Sequence, residues 1–98
     1  MAALADIAVA GHICIDITPR FPESDARTLN ELFVPGASLR VAECIVSTGG
    51  PVSNTGLALH RLGMSVVLMG KAGDDVFGRM LVDKMREAGC ASGIRIVP

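Results

Sequence analysis

Aromatic side chains are nearly missing from this sequence: it has no Trp, no Tyr and three Phe in 98 residues. Stacking on nucleic-acid bases needs such rings, and a formal net charge of -1 withholds the basic footprint that phosphates require, so no nucleic-acid partner is expected. Cysteine is sparse as well. Cys14, Cys44 and Cys90 are odd in number, far apart and without C-x-x-C spacing, which argues against a disulfide framework and a zinc site and fits a reducing cytoplasm. No run approaches the roughly 18 apolar residues that cross a bilayer, so no membrane association is expected. The opening MAALADIAVAGHICIDI is apolar, but Asp6 interrupts it and no basic segment precedes it, so it reads as a mature strand rather than a signal peptide.

What is present suffices for one small globular domain: half of the residues are hydrophobic and 19% are charged. Ile7, Val9, Ile13, Ile15 and Ile17 keep a period of two, predicting one strand that continues past Gly11. Pro19, Pro22, Ser24 and Asp25 mark an irregular loop. Leu32 to Val34 and Leu39 to Val46 then read as short strands around a Pro35-Gly36 turn, together a small β-flap. From Ser53 to Leu62 the pattern is helical, with Gly63 as a left-handed cap. Ser65 to Met69 is an apolar run suited to a parallel sheet covered on both faces, and Gly70 to Gly73 leads into a second helix. Asp74 is the expected N-cap of that helix, Phe77, Leu81, Met85 and Ala88 its apolar repeat, and Gly89 its end. Ile94 to Val97 begins a further strand.

The order strand, flap, helix, strand, helix, strand opens a doubly wound α/β fold, in which ligands sit beyond the carboxyl ends of the strands. Pro98 arrives at a strand, where an open sheet would gain from more elements, so the chain reads as the N-terminal part of a longer protein.

The chemistry concentrates between Thr48 and Gly78. The Gly49-Gly50 pair lets backbone approach a ligand, and Asn54 follows at a helix mouth whose exposed N–H groups favour oxygen-rich ligands. The same glycines serve equally well as a tight turn, and Asn54 as an N-cap. Asp16, just after the first strand, is either a solvated loop acid or an acceptor for two hydroxyl groups. His12 and His60 have no nucleophile or metal-ligand partner at diagnostic spacing; His60 reads as a helix-surface residue, and His12 as structural beside Gly11 or, by its place near Asp16, as a residue lining the site. Met64, Met69, Met80 and Met85 read as core filling. Asp75 and Lys71 read as solvated.

Gly49, Gly50, Asn54, Gly63 and Gly73, with the continuation Gly70 to Gly78 and the segment Gly11 to Asp16, resemble the ribokinase-like, or phosphofructokinase-B type, carbohydrate kinases over nearly the whole chain. Val52 and Gly56 depart from the signature, which has Gly, Ala or Pro and Ser, Thr or Ala there. The resemblance implies the N-terminal portion of a Rossmann-like three-layer fold, with residues 1–98 as a single sugar-binding portion and a lid at about 32–46. It implies substrate contacts from Asp16, Gly49, Gly50 and Asn54. It also implies an ATP- and Mg²⁺-dependent sugar kinase whose Gly-Ala-Gly-Asp anion hole, catalytic base and nucleotide pocket lie in a C-terminal half; this chain alone is then inactive and carries no catalytic, cofactor or metal residue. The implied partners are a sugar and, through the lid, a second copy. The competing readings are a noncatalytic α/β sugar-binding or dimerisation module and, more remotely, a dinucleotide-binding oxidoreductase, for which no G-x-G-x-x-G joins the first strand to a helix.

Overall fold

A computed structural model describes residues 5–22, 28–91 and 93–98. The chain divides into two compact units: residues 1–16 with 47–98, and the inserted segment 17–46. In the first unit, β1 (Ile7–Ala10), β4 (Val66–Gly73) and β5 (Ile94–Val97) form a parallel sheet in the order β1-β4-β5. The central strand pairs with β1 through its first half, Ile7 opposite Val66, and with β5 through its second, Gly70 opposite Ile94.

Helix α2 (Gly50–Arg61) lies between β1 and β4 in sequence, and α3 (Val76–Glu87) between β4 and β5. Both parallel crossovers step in the same direction along the sheet, and right-handed connections of that kind bring successive helices to one face. A single core results: Val52 of α2, Leu81 and Met85 of α3, Leu68 and Ala72 of β4, with Ile13 and Cys90. Strand alternation sends Met69 and Lys71 to the other face, where Met69 is 49% exposed. Among the described residues that face is uncovered, whereas the sequence pattern predicts cover on both.

Several expected boundaries shift for identifiable reasons. The alternating run from Ile7 to Ile17 is two strands in two sheets, β1 and β2 (Cys14–Pro19). Gly11 makes the last bond of the first, its N–H to the Met69 carbonyl, and turns the chain away with φ +141°; the period then resumes in phase, so alternation alone cannot reveal the break. Strand β4 extends through Gly70–Gly73 because β5 pairs with it there. The N-cap of α3 is Asp75, whose Oδ1 accepts the Gly78 N–H at 2.8 Å, rather than Asp74, which faces Arg79 at 3.7 Å. Asp75 is therefore engaged rather than solvated. Phe77 is exposed, and of the four methionines only Met85 is fully buried. Gly63 and Gly89 close their helices with φ of +88° and +81°, as expected.

The inserted unit holds parts of β2 and β3 (Cys44–Gly49), which pair as a two-stranded sheet, and a single helical turn, α1 (Leu29–Leu32). Leu32 to Val34, expected as a strand, instead end this turn because Thr28 and Glu31 form a capping box. The second flap strand begins at Cys44 and not at Leu39. Pro35-Gly36 is a turn, as expected, with Ala37 N–H bonded to the Val34 carbonyl. Phe21 and Phe33 meet edge to face with centroids 5.8 Å apart, and Arg20 pairs with Glu43 at 2.8 Å. Ser24 and Asp25 lie outside the described residues.

Gly56 explains its departure from the family signature. Its missing side chain is the space that the fully buried Leu68 occupies, so a Cβ at 56 would collide with the Leu68 methyl groups. Gly56→Ala is expected to destabilise by about 1–3 kcal/mol through overpacking. Combining it with Leu68→Val should cost less than the two single changes summed, in urea unfolding; strict additivity would show that the two positions do not share this space.

Candidate functional site

The candidate residues converge because two chain connections meet beyond the carboxyl end of β1. One runs from Gly11 into β2; the other is the turn from β3 into α2. At their junction Gly49 is the N-cap of α2 with extended backbone and no side-chain cap, and Gly50 begins the helix with φ +84°. That angle costs an L-residue about 1–2 kcal/mol, so glycine belongs there. The expected start at Ser53 is thus three residues late, and Asn54 is not the N-cap: it stands exposed one turn inside the helix. Ser53 is instead buried and shares a 2.5 Å hydrogen bond with the Thr48 hydroxyl, tying the end of β3 to the first turn of α2.

Close approach explains both glycines. A Cβ on Gly49 would fall on the Asp16 carboxylate. A Cβ on Gly50 would stand 2.9 Å from His12 Nδ1 and 2.9 Å from the His12 carbonyl oxygen. That carbonyl accepts the Val52 N–H at 3.0 Å, so the β1–β2 connection holds the first turn of the helix. Asp16, Gly49 and Gly50 are therefore in one place. Asn54 shares their helix face, one turn from Gly50, and its side chain has no hydrogen-bond partner among the described residues.

Cys14 belongs to this group although its residue type offered no hint. Two positions before Asp16 on β2, it lies on the same strand face, and its thiol donates to Asp16 Oδ1 at 3.5 Å. Burial pushes the Cys14 thiol pKa up, reinforced by the hydrogen bond to Asp16 and the carboxylate's charge, while the Gly49 amide acts in the opposite direction. A protonated thiol can donate; a thiolate beside the carboxylate would repel it. His60, by contrast, is an exposed helix residue near Gly89, as expected.

A cavity of about 540 Å³ opens beside the junction, lined by Gly11, His12, Ile13, Met69, Gly70, Lys71, Gly93 and Arg95. His12 belongs to both places. Among the described residues, no three His, Cys, Asp or Glu side chains gather as a metal site would require.

Two measurements follow. In a Cys44→Ser background, Cys14 should react with iodoacetamide at neutral pH more slowly than in urea-unfolded chain, and Asp16→Asn should accelerate it; equal rates would separate the two side chains. The folded state holds the Cys14 and Cys90 protons more tightly than the unfolded chain does. Their stabilisation is therefore complete below the unfolded thiol pKa and lost as pH rises through the raised folded value. Stability in urea should fall from about pH 8.5 upward, and Cys14→Ser with Cys90→Ala should flatten that decline.

The profile of the "pfkB family carbohydrate kinase" matches residues 4–96. Fructokinase-1 of Oryza sativa subsp. japonica is 35% identical over 95 residues, 95% of this chain and 25% of that protein. Probable fructokinase-7 of Arabidopsis thaliana is 45% identical over 58 residues, 55% of this chain and 17% of its own length. A fructokinase with bound ATP from Xylella fastidiosa superposes with a TM-score of 0.67 at 27% identity, over 96% of this chain and 26% of that one. A ribokinase from Thermotoga maritima, at 21% identity, shares the fold with a TM-score of 0.70 over 96% of this chain and 29% of its own. The chain thus spans about a quarter of the length of these relatives. With the Gly-Gly turn, Asn54 and the β1–β2 connection in the arrangement described, it belongs to the pfkB family of carbohydrate kinases.

Proposed function

We propose that this chain forms the sugar-recognition portion of an ATP-dependent carbohydrate kinase, in which the complete enzyme transfers the γ-phosphoryl group to a sugar hydroxyl. The observation that carries the reading is the nesting of the Asp16 carboxylate against Gly49, where any side chain would displace it. A carboxylate so held accepts two charge-assisted hydrogen bonds from neighbouring hydroxyls of a sugar. Asn54, which donates and accepts, suits a hydroxyl's dual character, and the bare backbone of Gly49 and Gly50 lets the ring approach. The relatives named fructokinase make a ketohexose the first sugar to test.

The acids at hand do not suit Mg²⁺ or a catalytic base: Asp16 accepts from Cys14, Asp74 faces Arg79, and Asp75 caps α3. The chain's own contribution is to orient the sugar. Residues 32–46 are the candidate lid, which would exclude water from the transfer.

A second reading, an assembly module, has its own support. Ile17, Phe33, Val34 and Ile45 of the inserted unit are each about half exposed, which leaves apolar side chains for a second copy to cover. A homodimer through this unit is compatible with sugar binding.

Fructose titrated into the isolated chain should shift the amide resonances of Asp16, Gly49, Gly50 and Asn54. Asp16→Ala should weaken binding by about tenfold or more, a floor set by losing even one of its two hydrogen bonds to a charged group; unchanged affinity would remove Asp16 from the site. The chain alone should show no ATP-dependent sugar phosphorylation, and robust turnover by pure material would overturn the assignment of the base elsewhere. In sedimentation, Ile45→Lys should shift any dimer to monomer.

A further inference from the structure

The cavity beside the sugar junction is chemically unlike the junction itself. None of its eight lining residues is acidic, and two carry basic side chains, Lys71 and Arg95. These two are direct neighbours in the β4–β5 register, and the strand phase sends both to the sheet face opposite the helices, where they are exposed. Like charges on facing positions of adjacent strands repel, and no ion pair relieves either residue among the described residues. An oxyanion between them would turn that repulsion into two charge-assisted bonds, with the Arg95 guanidinium offering a forked donor.

The surroundings favour a small ligand. Gly11, Gly70 and Gly93 contribute no side chains, leaving backbone walls, and a volume of about 540 Å³ is ample for a phosphate or carboxylate together with part of a sugar. His12 connects the two places: it lines the cavity, and its Nδ1 lies close to Gly50. A ligand seated on Asp16, Gly49 and Gly50 therefore has an adjoining pocket of opposite electrostatic character.

From this juxtaposition we infer that the cavity is a subsite for an oxyanion carried by the sugar, so that the substrate class is an anionic sugar, bearing a carboxylate or a phosphate, rather than a neutral one. The inference rests on the sugar-binding reading of the junction. Asp16 takes hydroxyl groups, and Lys71 with Arg95 takes the anion at the other end.

The test titrates the 98-residue chain with fructose, gluconate, fructose 6-phosphate, inorganic phosphate and ATP, following amide shifts. Gluconate or fructose 6-phosphate should bind at least tenfold more tightly than fructose, shift His12, Lys71 and Arg95 together with Asp16, and lose that advantage in 0.5 M NaCl. The combined Lys71→Gln and Arg95→Gln variant should abolish the preference while leaving the shifts caused by fructose intact, with melting curves confirming that the variant folds. Equal affinity for neutral and anionic sugars, or a preference that survives the double variant, overturns the subsite alone. ATP shifting these amides more strongly than either sugar anion overturns it in favour of a nucleotide phosphate. If Asp16→Ala leaves every sugar's affinity unchanged while inorganic phosphate still shifts Lys71 and Arg95, the sugar-binding reading fails and the anion site stands.

Discussion

The structure of the site depends on two missing β-carbons. At Gly49 and Gly50 the turn between β3 and α2 presses against the connection that follows β1, closely enough that one Cβ would displace the Asp16 carboxylate and the other would crowd His12. Because the turn can come this near, the His12 carbonyl reaches the Val52 N–H and holds the first turn of α2. The same approach leaves an acid, bare backbone and the face of a helix start in one place. Any residue larger than glycine would push these two connections apart and leave the carboxylate without its seat.

The sheet explains why the connections meet there at all. In a parallel sheet every strand ends on the same edge, so the segments that leave the carboxyl ends crowd together. Strands β1 and β4 pair in register from Ile7 opposite Val66 to Ala10 opposite Met69, and β1 then stops while β4 runs on to Gly73 beside β5. The unequal strand lengths leave space next to β4, and the cavity lined by Gly11, His12, Gly70 and Lys71 occupies it. Leu68, buried against both helices and set into the gap over Gly56, anchors the strand from the other side.

Much of this was legible in the residues. Leu81 and Met85 of the α3 repeat, the glycine ends of α2 and α3, the strand at Ile94–Val97 and the Pro35-Gly36 turn follow from local chemistry, and the structure has them where the pattern puts them. The departures have distinct physical causes. The break between β1 and β2 is invisible to a period of two that resumes in phase, and the extension of β4 through Gly73 exists only because β5 supplies a partner. The apolar run Leu32-Phe33-Val34 reads as a strand, whereas the Thr28–Glu31 capping box just before it starts a helical turn that takes in Leu32. Asn54 illustrates the remaining kind of error: a good capping residue stands one turn inside a helix that begins earlier at glycine and proline.

The sequence by itself determined the class of chain, because glycine spacing, helix punctuation and apolar periodicity are local properties that need no partner strand. It thereby determined the family and the candidate set Asp16, Gly49, Gly50 and Asn54. Only the tertiary structure decided what surrounds that set. The Cys14 thiol on Asp16, the Thr48 hydroxyl on Ser53, and the cationic neighbours Lys71 and Arg95 beside His12 are contacts between residues brought together by strand pairing and crossover. Spacing along the chain records which residues can bend or repeat; it does not record which distant backbone will lie 3 Å away, and the chemistry of a binding site is made of those distances.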